Sequence, residues 1–448
     1  MKIPDGLPEA HRPTRADNAP HERSIDHIFA PAVRFLHVEA AGGIVLMACT
    51  AIALAIANSP WADPFDQFWQ MRVGVTLGDF SLIKPLLLWV NDGLMTIFFF
   101  VVGLEIKREV VFGELRDPRK AALPAAAALG GMIAPALIYL ALQYGQPGEA
   151  GWGIPMPTDI AFVVGFLALL GRRVPFSLKI LLLTLAIVDD IGAVIVIAVA
   201  YTADLAAILL LPAAVGFGLI LMCRRLGVRS LAVYWILGVG IWLAFLKSGV
   251  HPTVAGVLLG LLTPARPWLT AESLTRVSAG LAQGAMAHDK AARLLGWTVR
   301  ESLSPLERLE TRLHPWVAFF IMPVFALANA GVPIDWSALG NPIALAVAIA
   351  LAVGKPIGVI ALSWLAVRLG LAKLPSGVTW KILFAAGCLA GVGFTMSLFI
   401  AGLALDDTLL SVGKVGILAG SVVSAIVGCG LLRAFSTAPG ERTKDAST

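Results

Sequence analysis

Two adjacent carboxylates, Asp189 and Asp190, stand in the middle of the apolar stretch Ile180–Thr202, ILLLTLAIVDDIGAVIVIAVAYT. A membrane span needs roughly 20 apolar residues, and this stretch is long enough. An Asp at the centre of such a helix costs about 2.5–3.5 kcal/mol to insert. A neighbouring pair costs more, because both lose hydration and like charges resist joint ionisation. Such a pair is kept to hold a cation, a proton, or each in turn. The plainer alternative is a capping or tightly hydrogen-bonded structural role.

Lys355 lies between Gly354 and Pro356 in the apolar run NPIALAVAIALAVGKPIGVIALSWLAV. An ammonium buried there needs an acidic partner, and Asp189 or Asp190 is the candidate at comparable depth. Thr158 and Asp159 follow Pro155 and Pro157 in GWGIPMPTDIAFVVGFLALLG. The prolines remove two backbone donors and interrupt a helix, and Thr158-Asp159 occupies the place of an N-cap. The expectation is two half-helices meeting at mid-membrane. Freed backbone groups there are paired or line a wet cavity, and Asp159 compensates the positive end of the second half. The alternative is a loop before a helix starting near 158. Gly387, Gly391 and Gly393, followed by Thr395 and Ser397, predict a second broken helix made by glycine.

Two further groups carry charge. Glu105, Lys107, Arg108, Glu109, Glu114 and Arg116 crowd the end of an apolar run. Glu105 shares a helix face with Arg108 and Glu109 at i+3 and i+4. The cluster is either a solvated helix end or an electrostatic funnel or pH-responsive gate. His251 precedes Pro252 at a helix start, as a structural group or a proton relay. Glu310 and Arg312 come just before another apolar run.

The elements that must position these residues follow from composition. Of 448 residues, 58% are hydrophobic and 14% charged, with mean hydropathy +0.83. Soluble domains carry about 25% charged residues. Long apolar runs without alternation predict an all-α polytopic membrane protein rather than a barrel. Twelve spans are predicted, at 35–58, 86–108, 121–142, 150–171, 176–201, 204–223, 230–247, 250–264, 314–331, 341–367, 380–403 and 409–432. With the N-terminus inside, 29 of the 34 Lys and Arg fall in inside segments, four outside and one within a span. That asymmetry puts both termini in the cytoplasm, and the net charge of +5 calls for no nucleic acid.

Residues 1–33 read as a flexible cytoplasmic tail and 434–448 as a second one, flanking a transmembrane unit over 34–433 with a long cytoplasmic linker at 265–313. Between the first two spans, Arg72 to Leu77 and Phe80 to Ile83 flank a Gly78-Asp79 turn, a short exterior β-hairpin. It caps a loop or lends its edge to a neighbouring subunit, and a homodimer through it is the expected assembly. Spans 3–5 and 10–12 each hold an interrupted middle member and start on opposite sides. That pattern predicts inverted-topology repeats with a transport site between them. The four cysteines show neither metal nor disulfide spacing.

From Glu39 onward the chain resembles the NhaA family of bacterial sodium/proton antiporters. The resemblance rests on EAAGG–IVLM, NDGLMTIFFFVVGLEIKRE, PTDIAF, ALLGRRVP, LAIVDDIGAV, LKSGVHPTVAG, LHPWVAFFIMPVFALANAGV, GKPIG and GVGFTMSLFIAGLAL, in order. It implies an inner-membrane, electrogenic Na⁺(Li⁺)/H⁺ antiporter that exports sodium by alternating access, serving pH and sodium homeostasis. Asp190 is then the principal Na⁺ and proton carboxylate, Asp189 its essential neighbour and Lys355 the cationic partner. Thr158 and Asp159 support the site at the helix break. Glu105, Arg108, Glu109, His251 and Glu310 fall on positions tied to pH response or gating. Na⁺, Li⁺ and H⁺ are transported partners within a lipid bilayer, and no cofactor is expected. One departure is Thr311, where the family pattern has His after the acid. The 265–313 linker and the N-terminal tail are also longer.

Rival classes fit less well. An intramembrane aspartyl protease needs its two acids on different helices. A metalloprotease lacks HExxH. A passive channel leaves Lys355 unexplained. A Na⁺-coupled symporter of organic solutes is separated by counterflow in sealed vesicles with and without such solutes.

Overall fold

The computed structural model describes residues 24–78, 80–202, 206–228, 230–265, 304–333 and 336–436. Residues 1–23 of the predicted tail, Asp79 of the predicted turn, 266–303 of the linker and 437–448 lie outside them. The described chain is mostly helical, with one two-stranded antiparallel sheet.

Helix α1 spans Ser24–Ala57, so it begins within the stretch read as a flexible tail. α2 is the short helix Ala62–Gln70. β1 (Arg72–Leu77) and β2 (Phe80–Pro85) form the predicted hairpin, with Leu77 opposite Phe80 and Val75 opposite Leu82. Gly78 sits at φ +58°, the left-handed conformation such a turn requires.

The following helices are α3 (Leu86–Val111), α4 (Pro118–Gln143), α5 (Ile160–Leu170), α6 (Phe176–Ala200) and α7 (Leu210–Arg225). Then come α8 (Leu231–Ser248), α9 (Thr253–Leu262), α10 (Pro305–Asn329) and α11 (Pro342–Arg368). The chain ends with α12 (Trp380–Ala390), α13 (Phe394–Ala404) and α14 (Asp407–Phe435).

Among the described residues seven helices are long and apolar enough to cross a membrane, or eight if α12 and α13 form one bent span. Several predicted spans are shorter here. α5 and α9 have 11 and 10 residues.

Local chemistry sets the starts. Asp117 accepts from Arg119 N–H at 3.0 Å ahead of Pro118 in α4, and Asn341 accepts from Ile343 N–H at 3.0 Å ahead of Pro342 in α11. Polar caps and first-turn proline suit orphan helix donors. α10 opens with a reciprocal capping box between Ser304 and Glu307. It therefore starts inside the stretch assigned to the linker, before the span predicted at 314.

Three of these helices contain π-helical turns: Trp89–Leu94 in α3, Val317–Ile321 in α10 and Ala350–Gly354 in α11. The last directly precedes Lys355. Such turns frequently mark functional sites.

The core is built by close crossings. α4 and α11 form the most extensive helix pair, and a Cβ on Gly130 or Gly358 would run into the other's carbonyl oxygen. α3 packs on α9, α1 on α5, and α14 on α11 and α12.

The two interruptions differ. The glycine break appears where predicted: α12 ends at Ala390, α13 starts at Phe394, and the two are bent by 47°. The proline segment does not form two half-helices. A five-residue 3-10 turn, Glu149–Gly153, leads through non-helical residues to α5. Pro155 and Pro157 deny donors to any α-helix closing through them, and Gly151 and Gly153 weaken one before them.

Candidate functional site

The two interruptions bond to each other. Asp159 N–H donates to Val392 C=O at 2.8 Å, and Ser397 Oγ to Ile154 C=O at 2.7 Å. Asp159 caps α5 by accepting from Phe162 N–H at 3.2 Å through Oδ1. Its Oδ2 accepts from Thr395 N–H at 2.9 Å and from the Thr395 hydroxyl. One carboxylate thus serves the positive ends of two helices, α5 as expected and α13 in addition.

α6 brings the acid pair against this junction. Asp189 Oδ2 lies 2.8 Å from Lys355 Nζ and 2.6 Å from Thr158 Oγ1. Lys355 also donates to Met156 C=O in the proline segment. Thr158 Oγ1 is 3.0 Å from Ala390 C=O as well. It has one proton, so it serves the carboxylate or the carbonyl at any instant. Asp189 and Lys355 are fully buried and Asp190 is 2% exposed. Buried charge of this kind survives only when paired and hydrogen-bonded, and the lysine, hydroxyl and carbonyl supply that pairing for Asp189.

Asp190 is turned elsewhere, as the roughly 100° step between consecutive helix positions dictates. It lines a cavity shared with Glu39, Glu105, Thr158, Asp159 and His314. Asp189 Oδ1 and Asp190 Oδ1 are buried with no hydrogen-bond partner among the described residues. Both therefore retain oxygen lone pairs for a hard cation or a proton. Among the described residues no three His, Cys, Asp or Glu side chains gather as a metal cluster. A cation here would use two carboxylates completed by hydroxyl and carbonyl oxygens.

A second charged group stands where the cavity meets α3 and α10. Arg108 binds Glu310 across the two helices and lies 3.4 Å from Glu109. Glu109 Oε2 accepts from Glu114 N–H at 3.1 Å. His314 Nε2 is 2.8 Å from Glu39 Oε1 on α1. Sequence reading assigned no role to Glu39 or His314, although both lie in motifs it singled out. The signal was an acid opening an apolar run and a His one turn beyond Glu310. Thr311, the departure from the family pattern, is exposed, whereas Glu310 and His314 are buried on one face.

His251 is not part of that group. Its Nδ1 is 2.7 Å from Thr253 Oγ1, and its Nε2 is 3.6 Å from Asp92 Oδ1. Asp92 Oδ2 pairs with Lys84 of β2 at 2.6 Å. The Phe399 ring of α13 meets the His251 ring edge-on at 5.3 Å between centroids. The five residues expected to share a gating role therefore fall into two separate charged clusters.

Membrane-length apolar helices closed around carboxylates and one lysine, with two interrupted segments bonded to each other beside them, define a multi-pass membrane protein built on a buried charged centre. The family described as Na⁺/H⁺ antiporter 1 matches residues 33–432, and the chain belongs to it. It is 52% identical to the Na⁺/H⁺ antiporter NhaA of Rhodopirellula baltica over 416 residues, covering 91% of this chain and 94% of that protein. It is 49% identical to the Na⁺/H⁺ antiporter NhaA 2 of Acidiphilium cryptum over 429 residues, 94% and 96% of the two chains. The Na⁺/H⁺ antiporter NhaA of Rhizobium meliloti is 51% identical over 411 residues, 90% and 94% of the two chains.

Proposed function

We propose that this chain is a transporter rather than an enzyme, exchanging Na⁺ for H⁺ across a membrane at the Asp189–Asp190–Lys355 centre. Family membership and relatives of about 50% identity support Na⁺/H⁺ antiport. The observation that carries the site is a division of labour. Asp189 is held by Lys355 and Thr158, while Asp190, next in the chain, faces the cavity.

Asp190 is the principal carboxylate and Asp189 its partner. Thr158 and the freed carbonyls add neutral oxygens suited to Na⁺ or Li⁺. Asp159 holds the junction together. A cation needs ionised carboxylates and a proton neutralises them, so the two compete. Facing inward, the site releases protons and takes Na⁺; facing outward, it does the reverse. More than one proton returned per Na⁺ would make exchange electrogenic and export sodium, serving pH and sodium homeostasis. Alternating access would move the bonded segments against the remaining helices.

The finer architecture belongs to the same proposal. It has twelve spans in inverted-topology repeats over spans 3–5 and 10–12, a transmembrane unit over 34–433 between cytoplasmic tails, and a bacterial inner-membrane location. Glu105, Arg108, Glu109 and Glu310 would tune access from the inner side and His251 from the outer. Val75 and Ile83 of the hairpin are 61% and 51% exposed, which supports pairing with a second copy as a homodimer.

In sealed proteoliposomes Asp190→Asn should abolish Na⁺-driven proton movement while the purified protein keeps its thermal unfolding profile. Wild-type turnover in that variant would refute the role.

A further inference from the structure

We infer that Tyr201 is a positioning residue for this exchange, pinning the proline segment in register with the acids of α6. The inference rests on the exchange reading above. Tyr201 immediately follows α6, eleven residues after Asp190 and so roughly 16 Å along the helix axis. Its hydroxyl works in both directions. It donates to Ala150 C=O at 2.9 Å and accepts from Gly153 N–H at 3.1 Å. Its ring stacks on Trp152, with centroids 6.4 Å apart and planes 27° from parallel. All three contacts fall within the single 3-10 turn Glu149–Gly153.

The far end of the same segment is held by Thr158, bonded to Asp189 of α6. One helix therefore grips the proline segment twice, at its entrance through Tyr201 and at its exit through Asp189. Between the grips lie the carbonyls of Ile154, which accepts from Ser397, and Met156, which accepts from Lys355. Both grips, together with the bonds from Ser397 and Lys355, fix where these oxygens stand relative to α6. Misplacement by about 1 Å is enough to loosen a site of this kind. Gly153 is part of the fit: a Cβ there would stand 2.6 Å from the Tyr201 hydroxyl oxygen and 3.1 Å from its Cε2.

Four reconstituted variants test this: Tyr201→Phe, Gly153→Ala, their combination, and Tyr234→Phe. The last removes a hydroxyl that donates to Val228 C=O at 2.9 Å in the α7–α8 connection, away from the site. Tyr201→Phe should raise the apparent KM for Na⁺ about five- to tenfold, the size of one or two lost neutral hydrogen bonds. Maximal rate should stay within about twofold, and Tyr234→Phe should shift neither. Gly153→Ala should raise KM alone but add little in the Tyr201→Phe background, because the two act on one contact. Unchanged KM in Tyr201→Phe, an equal rise in Tyr234→Phe, or full additivity overturns the pin.

Hydrogen exchange of the backbone amides over 148–156 provides an independent readout. It should speed up in Tyr201→Phe and not in Tyr234→Phe, and equal protection overturns the inference even if wild-type protein exchanges no Na⁺. Absence of wild-type Na⁺/H⁺ exchange would sink the transport reading separately.

Discussion

Lys355 is held by Asp189 Oδ2 at 2.8 Å and by the Met156 carbonyl, with no part of it exposed. Removing one member of a buried ion pair strands the other, at a cost of about 3–5 kcal/mol. Lys355→Met should therefore lower the unfolding temperature of detergent-solubilised protein at neutral pH. Adding Asp189→Asn should recover most of that loss, since a neutral amide needs no cation. Equal melting of the single and double variants would mean that the two side chains are not coupled. Thr158 makes a finer case. Thr158→Val keeps the shape and deletes the proton shared between Asp189 and Ala390 C=O. The expected result is a raised KM for Na⁺ with a smaller change in maximal rate. That Lys355 has an acidic partner could be read from the chain. Which of two neighbouring acids it takes could not, because the choice depends on how α6 is rotated against α11.

The elements obey rules the chain states openly in some places and not in others. Gly391 and Gly393 stand between two apolar runs of eleven residues, Trp380–Ala390 and Phe394–Ala404, so that break was readable. Pro155 and Pro157, falling inside a stretch of span length and followed by the cap-like Thr158-Asp159, suggest two half-helices. In the structure two glycines and two prolines leave only a 3-10 turn before α5. The start of α10 is signalled in the chain by Ser304-Pro305 and Glu307, within the charged 265–313 stretch. Glu39 carries no role in the sequence pattern alone, because its partner His314 is remote in sequence. The crossing of α4 and α11 yields a prediction at this scale. Gly358→Val forces the two backbones apart at Gly130, and overpacking of this kind costs about 1–3 kcal/mol or more. Poor folding or a clear drop in thermal stability is expected, measured by fluorescence-detected size exclusion after heating. A variant as heat-resistant as wild type would show that the helices can separate without penalty.

At the scale of the whole molecule, two charged clusters flank the centre and the hairpin stands apart from it. Shortening the hairpin by deleting residues 74–82, while keeping Lys84 to pair with Asp92, should convert dimers to monomers in native mass spectrometry. Exchange in proteoliposomes should persist. Loss of transport with dimers intact would reverse the assignment of the hairpin to assembly. One arrangement at the centre reaches further than its size suggests. Asp159 has both oxygens engaged, one by the start of α5 and the other by the start of α13. The starts of α5 and α13 are thereby tied to one side chain, which couples a shift of either helix to the other. A cross-link or antibody fragment that immobilises one of them should restrain the other as well. In the alternating-access cycle proposed above, such a linkage would disfavour a state open at both faces.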